Sequence, residues 1–142
     1  MMTDLFLLAQ IAGRSVAIAS GHVDSVIDIS EISPVPRAPG AVLGLAALRS
    51  RVVTVIDTRR ALGLGQGTST GRAVIVQVDG HPYAFLVDTL DDVCPFDLQP
   101  LANGVTLDPG WEAISLGLVE QAGEPVLAVD LARLVPTLAA AA

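Results

Sequence analysis

The chain has no lysine, one cysteine and only two histidines, and each scarcity excludes something. With Cys94 alone, no intramolecular disulfide can form, and a reduced, cytoplasmic setting fits best. His22 and His81 lie at or beside turns, with no Cys or Glu at ligand spacing. No metal site or other cofactor is therefore expected. Long apolar runs are missing too. The longest, "AVLGLAAL" at 41–48, falls far short of the roughly 18–20 residues that span a bilayer, so no direct membrane insertion is expected. The opening "MMTDLFLLAQIAG" carries Asp4 where a signal peptide has basic residues, and reads instead as a first strand. Aromatics make up 4% of the chain, and Trp111 is expected as a core or inter-unit anchor.

The net charge of -7 argues against general nucleic-acid binding. The charge is unevenly spread, however. Arg37, Arg49, Arg51, Arg59, Arg60 and Arg72 fall in segment 37–72 with one acid, Asp57, giving 6 - 1 = +5; the remainder is 2 - 14 = -12. Arginines clustered in this way suit bidentate pairing with carboxylates at an interface.

Strand signals dominate what is present. "DLFLLAQI", "RSVAIAS", "RVVTVID", "AVIVQVD", "PYAFLVD", "ISLGLVEQ" and "PVLAVD" are short β-branched and apolar runs bounded by Gly, Pro, Asp or Ser. "AGR" (12–14), "DGH" (79–81) and "AGE" (122–124) place Gly between two such runs and read as hairpin turns. Helical signals are short: "DTRRALG" (57–63) and "DLARLVP" (130–136) each start on Asp, a good N-cap, and "GHVDSVIDI" is a third candidate. Two long connections remain. "GLGQGTSTG" lacks the Lys of a phosphate-binding loop and follows a helix end, so a flexible link is expected there. "LQPLANGVTLDPGW" (98–111) is the other.

The sequence also repeats itself. Segment 12–26 aligns with 79–93 at an offset of 67, setting Gly13 on Gly80, Ala17 on Ala84, Asp24 on Asp91 and Val26 on Val93. Segment 55–62 aligns with 128–135 at an offset of 73, setting Asp57 on Asp130 and Arg60 on Arg133. The expectation is one domain over 1–142 made of two similar β units, intertwined or fused, with a boundary near 64–72. Each unit alone would have a marginal core of about 65–70 residues.

Two Asp-Thr pairs, Asp57-Thr58 and Asp88-Thr89, raise the possibility of a divergent aspartic hydrolase. The repeat counts against it. Two-lobed aspartic proteases place both catalytic aspartates at equivalent points so that they share a proton. Here Asp57 is equivalent to Asp130 and Asp88 to Gly21, and neither pair is followed by the Gly that turns the backbone under the carboxylates. Asp57 is expected to cap the short helix after its strand. Ser15, Ser20 and Ser25 fit no nucleophile elbow. No catalytic residue is assigned, and no enzyme is expected.

Segment 36–63, "PRAPGAVLGLAALRSRVVTVIDTRRALG", resembles the signature of the CheW-like domain family of bacterial chemotaxis coupling proteins. Pro36, Pro39, Val42, Gly44, Leu48, Arg49, Val55, Ile56, Asp57, Arg59 and Gly63 all fall in place. The likeness extends to "DLFLLAQIAGRSVAI", "AVIVQVDGHPYAFLVDTLDDV" and "ISLGLVEQAGEPVLAVDLARLV", nearly the whole chain. It implies a mainly β fold of two pseudo-symmetric, SH3-like five-stranded barrels with short helices. It also implies a non-enzymatic cytoplasmic adaptor in two-component signalling. Such an adaptor joins the cytoplasmic hairpin of methyl-accepting chemotaxis receptors to the regulatory domain of a CheA-type histidine kinase; a related role would be in an accessory chemosensory or pilus-motility pathway. By resemblance Arg49, with Val23 and Leu48, faces the receptor, and Gly44 and Arg51 face the kinase. Asp57, Arg59 and Asp130 are expected to be structural, Asp57 and Arg59 as cap and ion pair. Ala47, Ser50, Thr54 and Ser25 depart from the family pattern, which has Asn, Gly, Pro and often Glu there.

Overall fold

A computed structural model describes residues 3–37, 40–48, 50–64, 71–101 and 106–136. Ten strands form: β1 (Thr3–Ile11), β2 (Arg14–Ala19), β3 (Val23–Asp28), β4 (Val42–Leu48), β5 (Arg51–Ile56), β6 (Arg72–Val78), β7 (His81–Leu86), β8 (Thr89–Asp97), β9 (Ser115–Gln121) and β10 (Glu124–Val129). Helices α1 (Thr58–Ala61) and α2 (Pro109–Ile114) and 3-10 turns at Ser20–His22 and Leu131–Leu134 complete the set. Most of the glycine-rich link expected between the halves lies outside the described residues.

Three hairpins close with two residues each. Ala12-Gly13, Asp79-Gly80 and Ala122-Gly123 all have positive φ at both positions, which matches the right-handed twist of the flanking strands. Ala12 and Ala122 adopt this at φ 54° and 52°, a region that costs a non-glycine residue roughly 1–2 kcal/mol. Asn tolerates it better, so Ala12→Asn is expected to raise the thermal midpoint, an increase readable by circular dichroism.

The strands assort into two five-stranded sheets. Sheet A has the order β8-β1-β2-β10-β9, and sheet B the order β3-β6-β7-β5-β4. The internal repeat maps one onto the other. Leu8 pairs with Ala17 as Ile75 pairs with Ala84, and the Asp57 N–H reaches the Ala41 carbonyl as the Asp130 N–H reaches that of Ile114. Each sheet nevertheless draws strands from both sides of segment 64–72: β8, β9 and β10 join β1 and β2, whereas β3, β4 and β5 join β6 and β7. The crossings run through the Ser20–His22 turn and through Val87-Asp88, where the Asp88 N–H donates to the Gln10 carbonyl.

The sheets are not closed into barrels by a continuous ladder. In sheet A a single bridge, Gln99 to Leu118, joins the end of β8 to β9; in sheet B, Ser33 to Leu45 joins the chain after β3 to β4. Strand alternation then makes three apolar cores. Val53, Val55, Ile75, Ala84 and Leu86 fill the concave side of sheet B, and Phe6, Leu8, Ala17, Val126 and Ala128 that of sheet A. The largest core lies between the sheets, with Ile11, Val16 and Val129 against Ile56, Val74 and Phe85, and with Trp111, Leu131 and Leu134 beside them.

Two elements differ from the sequence reading. "GHVDSVIDI" is one 3-10 turn followed by β3, because Val23, Val26 and Ile27 are β-branched and find a partner strand in β6. Segment 98–111 ends in α2, with Pro109 in its first turn. Gly110 belongs there for a packing reason: a Cβ would fall inside the Leu62 carbonyl.

Candidate functional site

The expected receptor-side and kinase-side residues map onto sheet B around the β4–β5 hairpin. Leu48 and Arg51 face each other at its tip, and Arg49 between them lies outside the described residues. Leu48 is half-buried against the sheet B core. Arg51 is exposed, and its guanidinium lies 3.7 Å from the Asp24 carboxylate of β3. The next residue back, Val23, is half-buried against the inter-sheet core and pairs with Val76. The structure thus gathers Val23, Asp24, Leu48 and Arg51 on one end of sheet B. Asp24 was not anticipated as the partner of Arg51. An acid one residue from Val23 in an expected helix gave no sign that it would face the next hairpin.

Gly44 is not part of this group. It stands four residues before Leu48, about 13 Å along an extended strand. Its φ of 150° belongs to glycine, and a Cβ would run into the Ser33 carbonyl. Gly117, 73 residues on, has φ 142° and the same close approach to Gln99. Gly44 therefore serves the single bridge that draws each sheet's two edges together. That requirement accounts for the glycine without any partner.

Asp57 and Asp130 occupy equivalent caps. The Asp57 carboxylate, 7% exposed, accepts from the Arg60 N–H at 3.3 Å, and that of Asp130 from the Ala132 N–H at 3.1 Å. Asp130 also lies 3.6 Å from His22 Nδ1 and 3.9 Å from Arg133 Nε, tying the Ser20–His22 turn to the Leu131–Leu134 turn. The ion pair expected between Asp57 and Arg59 is not formed among the described residues; Arg59 Nε is buried without a hydrogen-bond partner. Arg59 is half-buried on α1 instead.

The second Asp-Thr aspartate has a different task. Asp88 Oδ2 accepts from the Gly13 N–H at 2.8 Å, fixing the β1–β2 turn from across the molecule. The two aspartates of the Asp-Thr pairs thus accept backbone N–H groups from different segments, and neither binds the other. Among the described residues no group of three or more His, Cys, Asp or Glu could hold a metal ion, and no helix is long and apolar enough to cross a membrane.

Two pseudo-equivalent five-stranded sheets packed back to back define the class as a paired-sheet β domain. The CheW-like domain model matches residues 5–139. The chain belongs to the CheW-like domain family. It is 24% identical over 127 residues to the chemotaxis protein CheW of Thermotoga maritima, covering 89% of this chain and 83% of that protein. To the chemotaxis protein CheW of Rhizobium meliloti it is 36% identical over 73 residues, 48% of this chain and about half (47%) of that relative's length. The scaffolding protein TtCheW from Thermoanaerobacter tengcongensis shares the fold at a TM-score of 0.78 and 22% identity, over 94% of this chain and 92% of that one.

Proposed function

We propose that this chain is a non-enzymatic, cytoplasmic chemotaxis adaptor that joins a chemoreceptor's cytoplasmic hairpin to the regulatory domain of a CheA-type histidine kinase. The observation that carries the reading is the family match across residues 5–139, which takes in both sheets except the first two residues of β1. The surface agrees with it. The hairpin tip offers an apolar floor from Leu48 and a basic rim from Arg51, and Arg49 lies between them in sequence. An apolar patch with an arginine at its edge suits a helical hairpin that presents carboxylates beside apolar turns.

In this reading Arg49, Leu48, Val23 and Arg51 form the receptor side. Arg51 moves there from the kinase side because it pairs with Asp24, next to Val23. Gly44 keeps a kinase-side role only through the shape of the bridge it permits. Each contact need not be strong, since an array of adaptors, receptors and kinases multiplies weak affinities.

Arg49→Ala and Arg51→Ala test the receptor side against a soluble receptor cytoplasmic fragment, by isothermal calorimetry. Arg51 and Asp24 are 52% and 43% exposed at 3.7 Å, so Arg51→Ala is expected to change stability by no more than about 1 kcal/mol. A binding loss can then be read free of folding. Arg49→Ala is expected to weaken binding by about tenfold or more, and Arg51→Ala by less. Unchanged affinity in both variants would remove this hairpin tip from the receptor interface.

A further inference from the structure

Asp24 does not sit where a regular ladder would place it. β3 pairs Val23 with Val76 and Ser25 with Ile75, so two consecutive positions of β6 face three of β3. Asp24 is the extra residue, a β-bulge of the kind that re-aims a side chain. Its carboxylate ends 3.7 Å from the Arg51 guanidinium, at the start of β5 across the curl of the sheet. That separation makes an ion pair and is too long for a hydrogen bond.

The bulge is common to both sheets, and the ion pair is not. On sheet A, Leu7 pairs with Val93 and Ala9 with Leu90, which leaves Asp91 and Asp92 opposite Leu8. The repeat sets Asp24 on Asp91 at the offset of 67, and Arg51 on Glu124 at the offset of 73. Both residues of that corner are acids, and neither has an ion pair among the described residues. An irregularity that the fold keeps in both copies thus acquires a charge partner only on the receptor side of sheet B.

Arg51 is paired there without being used up. The pair engages none of the guanidinium N–H groups in a hydrogen bond, so they keep their fork geometry for an acceptor that comes closer. A carboxylate that takes two of them at once is held more strongly than one held by charge alone. Asp24 is the weaker of two competing anions, and the stronger has to come from a partner.

We propose that Asp24 is a built-in competitor for Arg51, a counter-charge that a partner's carboxylate displaces when the receptor side is engaged. The proposal rests on the adaptor reading and names a control on that same site. Segment 37–72 is strongly basic, and a bare arginine at such an edge draws any acidic surface. With Asp24 beside it, an incoming carboxylate gains only where it reaches the guanidinium bidentately. Only then does it offset both the lost pair and its own repulsion by Asp24. Asp24 lowers affinity and raises selectivity.

Asp24→Asn keeps the size of the side chain and removes its charge. Isothermal calorimetry of the full chain against a soluble receptor cytoplasmic fragment should show binding roughly threefold tighter than wild type at low salt. The gain should fade as salt is raised and largely vanish in an Arg51→Ala background, neither of which a purely structural role would produce. The thermal midpoint should stay near its wild-type value, because an exposed pair contributes little stability. Wild-type binding with no gain or a loss in Asp24→Asn, or an undiminished gain in Arg51→Ala, would overturn the competitor alone. If neither the wild type nor Asp24→Asn binds the fragment, the adaptor reading falls and the competitor with it.

Discussion

Gly44→Ala is expected to destabilise the protein by several kcal/mol, or to prevent it folding, although it adds one methyl group. Two costs combine. The backbone at φ 150° is one that L side chains rarely adopt, a strain of about 1–3 kcal/mol. The new Cβ would also overlap the Ser33 carbonyl, a backbone atom that cannot swing aside. Relief requires separating Ser33 from Leu45, whose two hydrogen bonds of 2.8 and 2.9 Å are the bridge between the sheet's edges. Gly117→Ala is expected to act alike on sheet A, through Gln99 and Leu118. Urea melts of the two variants check this: comparable losses support the shared role, and a near-neutral Gly44→Ala would show that the bridge is dispensable. A loss of partner binding in any Gly44 variant therefore reports folding first.

Phe85→Ala carries the second large effect. Phe85 is fully buried at the centre of the core between the sheets, and deleting a buried phenyl group costs about 3–5 kcal/mol. The distribution of the loss matters as much as its size. Because the largest core is built from residues of both sheets, the loss of either sheet would expose the other's share of it. Trp111, the single tryptophan, reports from the sheet A side, whereas Phe85 lies on β7 of sheet B. The fluorescence and far-ultraviolet transitions of Phe85→Ala are expected to coincide, both shifted by the same amount. A fluorescence transition that stays at its wild-type midpoint would mean the sheets unfold independently.

Much of this architecture was readable from residue patterns, for identifiable reasons. Central strands such as β5, β6 and β10 are buried on both faces, so their apolar residues run together and declare a strand. Asp57 and Asp130 stood out as caps because the requirement for an acceptor at a helix start is local. The strands that were not read lie at sheet edges or looked like a plain apolar stretch. β8, with Asp91, Asp92, Pro95 and Asp97, and β3, with Asp24 and Asp28, are charged edge strands, which hide their pattern as they guard against stray pairing. β4 shows only small and aliphatic residues, and its Gly44 gives no sign of the carbonyl it accommodates.

The candidate site was legible in composition but not in grouping. Segment 37–72 announced itself by its arginines, yet the Arg51–Asp24 pair links residues 27 apart in sequence, and the Gly13–Asp88 hydrogen bond spans 75. The first depends on sheet B curling until β3 approaches β5, and the second on the crossing of the chain between sheets at Asp88. The repeat gave the two copies; nothing local in the chain says that β3 and β8 change sheets.

An adaptor of the proposed kind holds a receptor and a kinase at the same time. The most direct test mixes the purified chain with a CheA-type kinase regulatory domain and a soluble receptor hairpin, and measures assembly by size-exclusion chromatography with light scattering. One peak containing all three, absent when this chain is omitted, is the expected result. Failure to bind either partner, or displacement of one by the other, would contradict the account.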